Sequence, residues 1–197
     1  MKSKPYGTRL IEASKKLQGD ADGLLASSGL PTLLRRYGQV ELVGSYPLGL
    51  MTHGDIDMHI SRNGGFTKWE VLKILARIVV QTPFTRSGYY HCDQRNSKKN
   101  PNLPYGYYIG LKTTYCGQKW TIDLWFVGTE LQHGLKRIDM RNVELTDAQR
   151  VTIMRLKRYL GKIGVMLWGQ RVYEAVVLDG VTTIAGFKEW LKKGVKK

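Results

Sequence analysis

The stretch Asp55-Ile56-Asp57-Met58-His59-Ile60 alternates strictly, with Ile56, Met58 and Ile60 on one side and Asp55, Asp57 and His59 on the other. A repeat of two is the signature of a strand that buries one face and leaves the other open. The spacing therefore predicts a strand over Asp55 to Ile60, with both carboxylates on its open side. Same-face positions on a strand lie about 7 Å apart along the backbone, close enough for two carboxylates to converge on one cation.

Working outward, Val40 to Val43 is a short apolar run ended by Gly44, and it reads as a second strand. Before it, Leu10 to Leu17 and Leu24 to Tyr37 carry helical spacing interrupted near Gly29 and Pro31. After it, Thr67-Lys68-Trp69-Glu70 has the form of a capping box. It predicts a helix from Lys68 to about Gln81, with Trp69, Leu72, Leu75, Ile78 and Val79 available to face the sheet. Asp93 to Pro104 is polar and turn-rich, and reads as a loop.

Tyr105 to Cys116 and Lys119 to Val127 are rich in aromatic and β-branched residues and predict two further strands. Gly117-Gln118 between them suits a two-residue type II′ turn. That turn sets Cys116 opposite Lys119 and hence Lys112 opposite Asp123. A second capping box, Thr146-Asp147-Ala148-Gln149, opens a helix with Ile153, Leu156 and Leu160 on one face and Arg150, Arg155, Lys157 and Arg158 across the other. Arg171 to Leu178 and Thr183 to Lys193 read as short helices. The fold class expected is α+β: a mixed β-sheet core flanked by helices, with a helical C-terminal third. Residues 1–130 would form the core with its N-terminal helices, and 131–197 a helical region packed on it.

No stretch among the 197 residues is a membrane span, and the N-terminus has no apolar run of the secretion type, so the expected compartment is the cytosol. Cys92 and Cys116 belong to no Cys/His cluster, which argues against a zinc site or a disulfide framework. Lysine and arginine outnumber aspartate and glutamate by 31 to 16, for a net charge of +15. Such a field suits phosphate-rich partners.

Asp123 lies within Thr121-Ile122-Asp123-Leu124-Trp125-Phe126, one acid in an otherwise apolar strand. A charge there needs compensation, from a metal, from Lys112 or from both. Carboxylate oxygens are hard ligands that suit Mg²⁺, with Mn²⁺ as a substitute. Gly44-Ser45, directly after a strand, offers a hydroxyl and backbone N–H groups to a phosphate, and glycine permits close approach.

The order Val43-Gly44-Ser45, Gly54-Asp55-Ile56-Asp57 and Ile122-Asp123-Leu124 resembles the DNA polymerase β-like nucleotidyltransferase superfamily over roughly Val40 to Val127. The resemblance implies transfer of a nucleoside monophosphate from an NTP to a hydroxyl, assisted by two Mg²⁺ ions. It implies that Gly44 and Ser45 contact the triphosphate, that Asp55, Asp57 and Asp123 hold metal, and that Asp123 also helps deprotonate the acceptor. Lys112, added from the hairpin register, would neutralise phosphate charge or lie on a solvated face. His53 and His59 flank the acids without an assigned role. The aromatic residues Tyr105, Tyr107, Tyr108, Tyr115, Trp120 and Trp125 are expected chiefly to pack the sheet.

For the acceptor, the basic charge favours RNA, with the tRNA 3′ end the leading case. Lys98-Lys99, Lys136-Arg137, the Arg150 to Arg158 helix face and Lys192 to Lys197 are the residues expected to track its backbone. The small size resembles bacterial nucleotidyltransferase toxins of this superfamily, which implies an inhibitory protein partner. Two alternatives stand beside this: an antibiotic-modifying enzyme of the aminoglycoside or lincosamide type, and a catalytically silent RNA-binding module.

Overall fold

The computed structural model describes residues 4–92, 104–129, 139–165 and 169–194. The elements run α1 (Tyr6–Ser28), α2 (Leu30–Leu34), β1 (Gln39–Val43), β2 (Gly54–Arg62), α3 (Lys68–Gln81), β3 (Arg86–Cys92), β4 (Gly106–Tyr115), β5 (Gln118–Gly128), a 3₁₀ turn at Met140–Asn142, α4 (Asp147–Lys162), α5 (Gly169–Tyr173) with a π turn at Glu174–Leu178, and α6 (Ile184–Gly194). The fold is α+β, as expected. No helix among the described residues is long and apolar enough to cross a membrane.

Five strands form one mixed sheet in the order β1-β2-β5-β4-β3. β2 and β5 run parallel, and every other neighbouring pair is antiparallel. On β2 and β5 the burial alternates as the sequence does: Ile56, Met58, Ile60, Ile122, Leu124 and Phe126 are wholly buried, while Asp55, Asp57, His59, Thr121, Asp123 and Trp125 are only partly covered. The apolar face belongs to a core that also takes Leu24 and Leu25 of α1, Leu30, Leu33 and Leu34 of α2, and Val71, Ile74 and Ile78 of α3. Leu25 and Ala26 line a groove with Val40, Leu42 and Met58, which puts the end of α1 on this face at the β1 side.

The chain clusters into two compact units. One holds the sheet and comprises residues 18–47 and 53–135; the other comprises 1–17, 48–52 and 136–197. In the second unit, Ile153, Met154, Leu156 and Leu160 of α4 join Leu10, Leu50, Val172, Tyr173, Ala175 and Phe187 in one apolar cluster. The segment Leu48 to Thr52 is tied there through its backbone. Arg150 donates to the Leu48 carbonyl at 2.6 Å, Lys157 to the Leu50 carbonyl at 3.2 Å, and Met51 N–H to Ser14 Oγ at 3.0 Å.

Both capping boxes form. Thr67 Oγ1 accepts from Glu70 N–H and Glu70 accepts from Thr67 N–H, and Thr146 and Gln149 repeat the exchange. Glu70 also accepts from Arg62, the last residue of β2, at 2.6 Å. This pairing, with the Thr67 bonds behind it, lowers the Glu70 carboxyl from 4.5 to about 2.

Four local expectations are corrected. α1 is one continuous helix of 23 residues, running through Gln18 to Gly23; Ala21, fully buried four residues after Leu17 and three before Leu24, carries the apolar face across that segment. α3 buries Ile78 as expected but otherwise turns Val71 and Ile74 inward, with Leu72 and Leu75 half-buried and Trp69 72% and Val79 55% exposed. β3, which the apolar pattern did not announce, adds an edge strand on β4.

The β4–β5 turn is the fourth correction. Cys116 and Gly117, at φ 49° and 72°, are its two central residues, the positive-φ pair of a type I′ turn. Tyr115 therefore pairs with Gln118, Lys112 with Thr121, and Gly110 with Asp123. A register slip of two keeps every side chain on its own face, so hydrophobic alternation fits both pairings equally well.

Candidate active site on the open face of the sheet

The register sets three rows of side chains across the open face. In the middle row Val43, Asp57, Asp123, Gly110 and Gly88 are successive cross-strand partners from β1 to β3. On one side lie Asp55, Thr121, Lys112 and Arg86; on the other Glu41, His59, Trp125, Tyr108 and Tyr90. The three acids are thus gathered. Asp57 and Asp123 are direct partners on parallel strands about 4.8 Å apart, and Asp55 is one pleat along from Asp57.

Gly44 closes the β1 side. Its φ is +74°, and a Cβ there would collide with the Asp57 carboxylate, whose Cγ would lie 2.9 Å away. Only glycine tolerates both conditions, so the loop backbone lies directly against the acid. Ser45 follows but keeps only 5% of its surface exposed, which leaves the Gly44 backbone as the more open part of the pair. His53 Nε2 lies 3.8 Å from Asp55 Oδ2 and forms an ion pair when protonated.

Asp123 has a partner that alternation did not reveal. The Tyr108 hydroxyl donates to Asp123 Oδ1 at 2.7 Å. Tyr108 reaches forward along its own strand because Gly110 has no side chain: a Cβ there would meet the Tyr108 oxygen at 2.5 Å. A glycine two residues from a tyrosine inside a strand was the available signal. Trp125 supports the ring, with centroids 5.1 Å apart.

Burial raises the Asp123 carboxyl above the ordinary aspartate range; the Tyr108 bond opposes this, Asp55 adds to it by repulsion, and Lys112 opposes it. Lys112 is thus a diagonal neighbour of Asp123 and not its direct partner. Tyr108 is itself raised above the usual tyrosine value, first by burial and then by its bond to Asp123.

Among the described residues no group of three His, Cys, Asp or Glu side chains is assembled as a preformed metal cage. Mg²⁺ takes one or two carboxylates together with water and substrate phosphates, and it does not need such a cage. Three same-face carboxylates, one of them raised by burial and by repulsion from another, have the donor chemistry that fits a hard divalent cation.

The remaining expected features divide. Trp120 is buried in the core, and Tyr107 stacks on His91 at 4.5 Å, away from the acids. Arg150 and Lys157 are partly buried and bound to backbone carbonyls, as is Arg155 to Thr182; of the basic residues expected on that helix only Arg158 is exposed. That face is therefore not the basic track expected. Lys98-Lys99, Lys136-Arg137 and residues 195–197 lie outside the described residues. No protein-family model matches the chain, and no curated protein matches it.

Proposed function

We propose that this protein is a metal-dependent nucleotidyltransferase that moves a nucleoside monophosphate from an NTP to a hydroxyl of RNA, at a tRNA 3′ end in the leading case. The observation that carries this reading is the pairing of Asp57 with Asp123 on parallel strands, Asp55 on the same face and Gly44 against Asp57. Asp55, Asp57 and Asp123 would hold Mg²⁺, which when bound neutralises triphosphate charge and makes the acceptor hydroxyl more acidic.

The chain's own groups divide the remaining work. The Gly44 backbone and Ser45 bind the triphosphate from the β1 side. Tyr108 holds Asp123 Oδ1, which leaves Oδ2 to accept the proton of the attacking hydroxyl. Lys112, same-face and close enough to influence Asp123, offsets charge building on the phosphates. RNA as acceptor is supported by the net charge of +15, and such a reaction belongs in the cytosol.

The test is incubation of the protein with each labelled NTP, Mg²⁺ and total RNA. Label in RNA, lost in Asp57→Ala, is the expected result. Label confined to added aminoglycoside or lincosamide would support the antibiotic-modifying alternative. Absence of transfer to either, with RNA still bound, would leave a silent RNA-binding module. Normal NTP affinity and turnover in Lys112→Ala would remove that residue from the reading.

A further inference from the structure

The open face continues past the acids to the edge of the sheet, where its character changes. Beyond Asp123 the middle row holds only glycine, Gly110 and then Gly88. Tyr108 lies across the first, but around Gly88 an added Cβ would meet nothing within 4 Å. A shallow bare strip therefore opens on the edge strand. One bank is cationic, formed by Lys112 and its direct partner Arg86, and the other is aromatic, formed by Tyr108 and its direct partner Tyr90.

Tyr108 is held by Asp123 and Trp125, but packing explains neither the cationic bank nor Tyr90. The side chains of Arg86 and Lys112 are both exposed and make no hydrogen bond or ion pair with another described residue. Like charges directly opposite each other destabilise a sheet, so this pair gains from an anion lying over it. Tyr90 is 45% exposed on a face whose neighbours are tyrosine and tryptophan.

We propose that this strip is the bed of the RNA acceptor, and that it takes a single strand whose phosphates lie along Lys112 and Arg86 while its unstacked bases lie on Tyr90 and Tyr108. The inference rests on the nucleotidyltransferase reading of the acids and names the substrate form that reading leaves open. Two features favour a single strand over a duplex: base faces are available to tyrosine rings only when unpaired, and a cationic bank beside an aromatic one matches a chain with phosphate on one side and base on the other. The Gly44 loop lies on the β1 side of the acids and the strip on the β4–β3 side, so the acceptor approaches Asp57 and Asp123 from the side away from Gly44, and Lys112, the strip residue nearest Asp123, serves the phosphates of both substrates.

The test uses the full chain with a 5′-labelled RNA octamer, followed by fluorescence anisotropy without NTP or metal. Expected is an affinity for the octamer at least about tenfold above that for a blunt RNA duplex of the same composition. Tyr90→Ala should weaken octamer binding about tenfold. Arg86→Ala should reduce the slope of log affinity against log salt by about 0.7. Gly88→Val suits a strand and places bulk in the strip, so it should weaken binding while thermal melts show the fold intact. Lys73→Ala, on α3, should bind as the parent does.

Parent-like binding by all three strip variants would overturn the proposal, as would equal affinity for octamer and duplex. Tighter binding of a DNA octamer would overturn its assignment to RNA. Octamer binding that depends on the strip in a protein that transfers no nucleotide would uphold the strip and defeat the enzymatic reading. Transfer to RNA that ignores the strip variants would do the reverse.

Discussion

The two faces of this sheet are built from alternate residues of the same strands, and they obey opposite rules. Ile56, Met58, Ile122 and Leu124 are wholly buried, and each contributes free energy in proportion to the area it removes from water. One residue away, Asp55, Asp57 and Asp123 share the other face, where burial first, and then repulsion from Asp55, raises the Asp123 carboxyl. Sites that hold charge in unfavourable company are characteristic of function. The apolar face makes the fold, and the open face spends some of its stability on a site.

This contrast can be broken experimentally, beginning with the largest effect. Asp57→Asn should lower nucleotide transfer by at least about a thousandfold, since metal charge stabilisation is worth several kcal/mol, with a melting temperature within a few degrees of the parent. Its neighbour Ile56→Ala should do the opposite. It should cost about 2–5 kcal/mol in urea unfolding, with the activity of the remaining folded fraction close to normal. An Asp57→Asn protein that unfolds, or an Ile56→Ala protein that folds well but is inactive, would erase the distinction between the faces.

Gly44→Ala comes next and joins the two effects. The left-handed backbone costs about 1–2 kcal/mol for a residue with a Cβ, and the collision with Asp57 adds to it. Both stability and NTP affinity should fall, read by urea melts and by nucleotide titration. Tyr108→Phe is smaller: loss of the hydrogen bond to the Asp123 carboxylate should slow transfer about tenfold while NTP affinity is unchanged.

The smallest effect lies away from both faces, at the Arg62–Glu70 staple between β2 and α3. Glu70 is lowered from 4.5 to about 2 in the folded protein. Its contribution is therefore complete above about pH 4.5 and is lost as pH falls toward 2. Glu70→Gln should melt below the parent at pH 7, and the gap should shrink steadily between pH 4.5 and pH 2. A gap that is constant over that range would show that the staple does not act through charge.

Much of this was legible because it is local. Alternation over Asp55 to Ile60 needs only the period of a strand, and both capping boxes need only four consecutive residues; all are found where the sequence puts them. The same-face placement of Asp55 and Asp57 follows from parity alone, whereas Asp123 joins them only through the pairing of β5 with β2.

What required the tertiary structure is non-local. Pairing of Asp123 with Gly110 instead of Lys112 depends on a turn at Cys116-Gly117, and a slip of two residues leaves alternation unchanged. Tyr108 reaches Asp123 only because Gly110 leaves room between them. Arg150 and Lys157 look like a solvated basic face in one dimension, yet carbonyls more than a hundred residues away claim them. The amino-acid sequence by itself determined which residues share a face. Only the folded chain decided which of them meet, because parity is a property of one strand and contact is a property of two.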